Sequence, residues 1–254
     1  MRNMPDLALT GMGPLEFARE ILDFHPGEQQ ADILARAPGV KEIKLNCCRQ
    51  WGKSTLTAVL AVHRLVMEAG ATILVVGPAG RQSGEMVTKV GRFLGKMGIR
   101  TRGDGVNSGA RVLPNGSRIV GLPAVEGTTR GFSAVSMLIV EEAARVPDDV
   151  YLALLPSVAV SNGDVILLST PKGRRGFFYR EVAAGDTKDS LVCTGPVTEC
   201  RHISEEFLAK QKSKGDVYYR QEFLCEFVET GRFLLDEAVV KRMENKDELA
   251  WSHL

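Results

Sequence analysis

The turn Arg49-Gln50-Trp51-Gly52-Lys53-Ser54-Thr55 lies between an apolar stretch, Lys41 to Cys48, and an amphipathic one that begins directly after it. No other feature constrains the fold as tightly. A strand that ends in Gly-Lys-Ser/Thr and opens a helix is built to cradle a triphosphate. Its backbone N–H groups and the positive end of the helix face the phosphates. Lys53 reaches the β- and γ-phosphates, and Ser54 presents its hydroxyl to Mg²⁺. The common pattern has glycine where Cys47 stands, so the match is incomplete. Gly-Lys-Ser also occurs by chance as a plain structural turn. The strand–turn–helix context is what favours nucleotide binding.

The rest of the chain repeats that alternation. Residues 14–36 read as helical, with a break at His25-Pro26. After the loop, Leu56, Val59, Leu60, Val62 and Leu65 fall on one helical face, and Gly70 ends the element. Ala71 to Gly77 is a continuous apolar strand. A helix from Arg81 to Lys96 follows, with Met86, Val90, Phe93 and Met97 inward and Lys89, Arg92 and Lys96 outward. Pro114-Asn115-Gly116 marks a hairpin over 110–122. Val135 to Val140 and Asp164 to Leu168 are two more buried strands, with a helix around 147–159 between them. Strands without polar alternation, separated by helices, predict an α/β fold with a mostly parallel central sheet. The remainder reads as helical and charged.

A phosphate loop needs acids at the end of a neighbouring strand, and Glu141-Glu142 directly follow Val135–Val140. Glu141 would hold the magnesium shell, and Glu142 would orient the attacking water as general base. Ser169 and Thr170, at the end of the next strand, can sense the γ-phosphate or simply cap the strand. Arg49 can contact phosphates, switch between nucleotide states, or pair with Glu142. Trp51 can pack beneath the loop or stack on a partner. His63, inside the helix after the loop, reads as structural.

The net charge is +1, so any nucleic-acid surface must be a local patch. Between Arg81 and Arg118 there are eight Lys/Arg against two Asp/Glu. Lys89, Arg92, Lys96, Arg100 and Arg102 are the candidate DNA-backbone contacts. A solvated helix face is the alternative. No apolar run reaches the ~18 residues of a membrane helix. The five cysteines form no CxxC pair and read as reduced thiols of a cytoplasmic protein.

Taken in order, these motifs resemble the ATPase domain of the large terminase subunit of tailed bacteriophages. Arg49 to Ser54 resembles that family's deviant Walker A loop, and Leu138 to Ala144 its Walker B strand. Leu167 to Pro171 resembles its coupling motif, which would include Ser169 and Thr170. Pro26-Gly27-Glu28-Gln29-Gln30 resembles its adenine motif, with Gln30 at the reading position and Gln29 in place of the usual tryptophan. Thr128-Thr129-Arg130-Gly131 resembles a segment carrying a catalytic arginine. Tyr219 to Phe227 resembles the stretch that ends the ATPase domain.

The resemblance implies a P-loop NTPase of the additional-strand catalytic-glutamate type. It implies a core over 1–198 and a small helical lid over 199–254 that leads toward a nuclease domain. The acids Asp236, Glu237, Glu244, Asp247 and Glu248 read as a solvated helix face rather than a nuclease centre. Cofactors would be ATP and Mg²⁺, with Gln30, Arg49, Gln50, Trp51, Gly52, Lys53, Ser54 and Thr55 around the nucleotide. Ser54 and Glu141 would hold the metal, and Lys53, Glu142 and Arg130 would be catalytic. Implied partners are double-stranded DNA, further copies in a ring, the portal protein and the small terminase subunit, in the host cytoplasm and transiently on the procapsid. Two other classes stay open at this point: a helicase-like nucleic-acid-dependent ATPase, and a nucleotide-gated scaffold module with negligible turnover.

Overall fold

A computed structural model describes residues 11–229, apart from 108, 126, 128–130 and 201. Within them the chain builds one seven-stranded sheet. The strands are β1 (Glu42–Cys47), β2 (Thr72–Gly77), β3 (Ala110–Val112), β4 (Arg118–Pro123), β5 (Met137–Glu141), β6 (Asp164–Ser169) and β7 (Ser190–Gly195). Their order is β3-β4-β2-β5-β6-β1-β7, and every pairing is parallel except β3 with β4. The hairpin expected around Pro114-Asn115-Gly116 is that antiparallel pair.

The helices are α1 (Pro14–Glu20), α2 (Glu28–Arg36), α3 (Lys53–Met67), α4 (Gly80–Lys96), α5 (Asp148–Leu154), α6 (Pro156–Ala159), α7 (Gly176–Ala183), α8 (Glu205–Lys212) and α9 (Asp216–Glu222). The expected helix around 147–159 is two pieces, since proline cannot continue a helix and Pro156 opens the second. The strand β7 corrects the reading of the later chain as helical throughout. Its sequence, Ser-Leu-Val-Cys-Thr-Gly, is short and only partly apolar, as suits an edge strand that pairs on β1 alone.

Alternation along each parallel strand divides the core. Leu45, Ile73, Val75, Ile139, Ile166 and Leu168 face the side covered by α1, α3 and α4. Leu74, Val76, Leu138, Val140 and Leu167 face Tyr151, Phe177 and Phe178. With both faces covered, the strands have no reason to alternate in polarity. In α3 all five residues expected inward are buried, and Thr57, Ala58 and Ala61 are buried as well. In α4 the inward row is Met86, Val87, Val90 and Leu94, while Phe93 and Met97 are half-buried at its margin.

The sheet order fixes the site. β6 lies between β1, which feeds the phosphate loop, and β5, which ends in the acids. This inserted strand is the additional strand of the class. Leu168 of β6 is in register with both Leu45 of β1 and Glu141 of β5. The loop after Cys47, the Glu141-Glu142 pair and Ser169-Thr170 therefore emerge side by side at the carboxyl ends of parallel strands. That edge is where open α/β sheets bind ligands.

Candidate nucleotide-binding site

The loop turns through two left-handed residues, Gln50 (φ 70°) and Gly52 (φ 95°), and Gly52 caps α3. Trp51 anchors the loop from beneath. Its indole is buried against Gly195 of β7, where an added Cβ would fall 2.3 Å from the ring nitrogen. Trp51 is thus a packing residue under the loop. The Lys53 ammonium is buried and donates to the Cys48 carbonyl at 3.3 Å, curled along the loop that it closes. Cys48 and Cys200 place their sulfurs 3.7 Å apart behind it, and burial pushes the Cys200 thiol up to about 12.

Ser54 and Glu141 meet across the sheet. The Ser54 hydroxyl lies close enough to favour the ionised form of the Glu141 carboxyl, which is 7% exposed. Burial pushes that carboxyl up to about 7, against the pull of Ser54, Lys53 and Lys89, while neighbouring Glu142 adds repulsion. A buried acid short of positive charge, paired with a hydroxyl, is an oxygen donor set suited to a hard cation that keeps waters and phosphate oxygens as its other ligands. The residues present therefore fit Mg²⁺. Among the described residues no three His, Cys, Asp or Glu side chains form a cage for a metal. Such a cage is not needed by an ion that shares its shell with a nucleotide.

Glu142 follows β5 in a left-handed conformation (φ 50°) that turns its side chain out of the strand's alternation. Its Oε2 accepts from Arg145 Nη1 at 2.7 Å. The same nitrogen donates to Thr170 Oγ1 at 3.2 Å, and Arg145 Nη2 lies 3.5 Å from Glu222 of α9. The other Glu222 oxygen takes Arg49 Nε at 3.2 Å. The partner of Arg49 is therefore Glu222, and the pairing with Glu142 weighed from the sequence belongs to Arg145. Ser169 is buried and gives its hydroxyl to the Thr170 carbonyl. Of that pair, Thr170 is the one joined to the acids.

Gln30 touches the loop directly. Its Nε2 donates to the Trp51 carbonyl at 2.8 Å, and its Oε1 accepts from Gly27 N–H. Beside it a pocket of about 210 Å³ is lined by Gly27, Gln29, Trp51, Cys200 and His202. His63 Nε2 donates to the Met12 carbonyl at 2.9 Å, and the ring packs edge-on against Phe17, a structural position.

The five candidate DNA contacts separate. Arg92, Lys96, Arg100 and Arg102 are exposed. Lys89 is half-buried, with Nζ 3.4 Å from Thr55 Oγ1 and its charge near Glu141. Burial holds its ammonium below the usual lysine value. It also lines a groove of about 840 Å³ with Arg81, Arg92 and Arg111. Arg130 lies outside the described residues, as do the acids from Asp236 onward.

Arg145, Glu222 and Asn46 were not singled out from the sequence. Asn46, buried in β1, donates to the Cys225 carbonyl at 2.9 Å and draws the chain after α9 under the loop. Only the position of Arg145, three residues beyond the second acid, could have suggested it.

Comparison with known proteins gives these features a family. A model of the N-terminal part of the terminase large subunit, T4-like-virus type, matches residues 45–238. The large terminase ATPase domain of Thermus phage P74-26 is similar at a TM-score of 0.73 and 22% identity, over 84% of this chain and 97% of that one. The large terminase of the thermophilic bacteriophage D6E gives 0.69 at 14% identity, over 80% of this chain and 54% of its own. Other structures of the D6E protein are complexes with ADP and with ATP-γ-S. The HK97 bacteriophage large terminase gives 0.67 at 14% identity, over 80% of this chain and 51% of its own. These structural likenesses speak for the fold, and the family model spans most of the sequence: the chain belongs to the terminase large subunit family, T4-like-virus type, by its N-terminal part.

Proposed function

We propose that the chain is the ATP-hydrolysing motor domain of a viral DNA-packaging terminase, driving double-stranded DNA into a procapsid. The observation that carries the reading is the meeting of Ser54 and Glu141, with Glu142 beside them, at the carboxyl edge of the sheet. It brings a phosphate loop, an acid suited to a metal and a second acid suited to proton transfer into one place. The nucleotide complexes of the D6E relative support the same reading.

In this reading the α3 N-terminus and Lys53 bind the β- and γ-phosphates. Ser54 and Glu141 would hold Mg²⁺, which when bound neutralises phosphate charge. Glu142 accepts the proton of the water that attacks the γ-phosphorus, and the β–γ bridging oxygen leaves on ADP. Gln30 and the pocket beside it face the base. Arg130 completes the charge on a neighbouring copy's nucleotide, within a ring. Arg92, Lys96, Arg100 and Arg102 contact DNA phosphates, which carry no sequence information and so suit a motor that moves any duplex. Residues from 199 onward act as a lid. The portal protein and the small terminase subunit are the proposed partners, and the procapsid in the host cytoplasm is the place of work. Cutting of DNA is assigned to a separate nuclease domain.

The test is phosphate release with duplex DNA and Mg²⁺ against Glu142→Gln. The variant should bind ATP-γ-S as the parent does and hydrolyse ATP roughly 10²–10⁴-fold more slowly. Parent-like turnover in Glu142→Gln removes Glu142 as the base. No hydrolysis by the parent, with or without DNA, leaves the scaffold reading standing.

A further inference from the structure

Glu142 is held by more than its own backbone. Residues 142–145 close a turn in which Arg145 N–H donates to the Glu142 carbonyl at 2.8 Å and Arg145 Nη1 to the Glu142 carboxylate at 2.7 Å. One residue thus fixes both ends of the glutamate. Arg145 is in turn tied to two other parts of the fold. Thr170 at the end of β6 accepts from Nη1 at 3.2 Å, and Glu222 of α9 faces Nη2 at 3.5 Å. Glu222 is 12% exposed and carries Arg49 on its other oxygen. The set of two arginines and two glutamates is neutral, so the nearly buried Glu222 is compensated by Arg145 and by the exposed Arg49.

This arrangement leaves Oε1 of Glu142 free of the arginine while Oε2 is occupied. A base fixed through one oxygen offers the other in a set direction. Guanidinium suits the task because its planar fork spans three acceptors that an ammonium could not reach together. We infer that Arg145 is a positioning residue for hydrolysis, aiming the Glu142 carboxylate at water, with Thr170 and Glu222 as its anchors. The inference rests on Glu142 being the base. Arg145 touches no reacting atom in this scheme and acts only through Glu142.

That dependence supplies the test, since residues acting as one unit are not additive. Single-turnover hydrolysis at saturating Mg-ATP and ATP-γ-S affinity are measured on the whole chain for the parent, Arg145→Ala, Glu142→Gln and the double variant. Arg145→Ala should slow hydrolysis about 10²-fold, the scale of a misplaced reacting group, with ATP-γ-S affinity kept within about twofold. In the Glu142→Gln background the same substitution should slow nothing further. Arg145→Lys keeps one bond to Glu142 but not the three-way span, and should recover part of the rate. It replaces Arg145→Ala in the four-way comparison if the alanine variant does not fold.

Parent-like hydrolysis in Arg145→Ala overturns the inference. So does an equal slowing in both backgrounds, or a loss of ATP-γ-S affinity that matches the loss of rate, since either is what a merely structural ion pair would give. If Glu142→Gln itself turns over normally, the base is misassigned, and the positioning role falls with it. That result is separate from the one in which only the epistasis fails.

Discussion

The Ser54 hydroxyl at the start of α3 pulls the Glu141 carboxyl at the end of β5 toward its ionised form, across the strand that separates their two elements. In the absence of a cation burial outweighs that pull. An unfolded glutamate titrates near 4.5, and the folded Glu141 near 7, because burial disfavours its charge. The folded chain therefore binds that proton more tightly than the unfolded one. Ionising it costs stability above pH 7, and the cost is gone below pH 4.5.

Glu141→Gln removes that cost. At pH 8, without nucleotide or divalent metal, the variant should be more stable than the parent by up to about 3 kcal/mol, at ~1.4 kcal/mol for each pH unit between the two titrations. At pH 4.5 the two should melt alike. With Mg²⁺ and ATP-γ-S the order should reverse, because only the parent gains from the metal. Thermal melting in the four conditions checks this. A variant no more stable than the parent at pH 8 would show that burial of Glu141 carries no penalty.

Arg92, Arg100 and Arg102 are exposed, whereas Lys89 turns toward Thr55. Charge reversal at any of the three arginines should weaken duplex binding for all sequences and lower the salt slope by about one per lost phosphate contact. Hydrolysis without DNA should stay near the parent level. Lys89→Glu should instead disturb nucleotide affinity, since its ammonium lies near Lys53 and Glu141. Filter binding across salt, paired with ATP-γ-S titration, separates the two behaviours. Equal loss of nucleotide affinity in all four variants would place the arginines in the nucleotide site instead.

Arg130 stands in the sequence Thr-Thr-Arg-Gly, eleven residues before Glu141, and the proposed function gives it to a neighbouring copy's nucleotide. Arg130→Ala should bind ATP almost normally and lose roughly 10³–10⁵ in rate, as for a finger that acts only on the departing phosphoryl group. Mixing it with Lys53→Ala should restore part of the activity, because one variant keeps a sound pocket and the other a sound finger. No recovery in demonstrably mixed assemblies returns Arg130 to its own site or to a structural role.

The parts of this fold that were legible in the sequence are those set by local chemistry. Uninterrupted apolar runs such as Thr72–Gly77 and Met137–Glu141 mark strands buried on both faces, and Gly52-Lys53-Ser54 marks the turn into α3. β7 escaped because half its residues are polar or small, as an edge strand permits. Arg145 and Glu222 escaped for a different reason. Their partners come from β6, the phosphate loop and α9, and no spacing along the chain records that meeting. Lys89 shows the same limit: helical periodicity put it on the face of Arg92 and Lys96, but its long side chain crosses to the adjacent helix α3.

Gly195 links the edge strand to the loop, and its substitution is the most direct test of how the loop is seated. A methyl group there would lie 2.3 Å from Trp51 Nε1 and 2.5 Å from Cδ1, both inside contact distance, so the indole must move. The Gly195 carbonyl also accepts Cys48 N–H at 2.9 Å, which keeps the strand backbone from retreating. Gly195→Ala should therefore destabilise the fold by about 1–3 kcal/mol, the range for overpacking a closed core. Since Gln30 holds the Trp51 carbonyl, a displaced indole should disturb the loop backbone and weaken ATP-γ-S binding as well. Trp51→Leu in the Gly195→Ala background makes room for the methyl, so the double variant should be more stable than the two single losses added together. Melting curves and nucleotide titration of the three variants read both effects. Simple additivity would mean that Trp51 and Gly195 do not share the strain, and that the loop is seated from elsewhere.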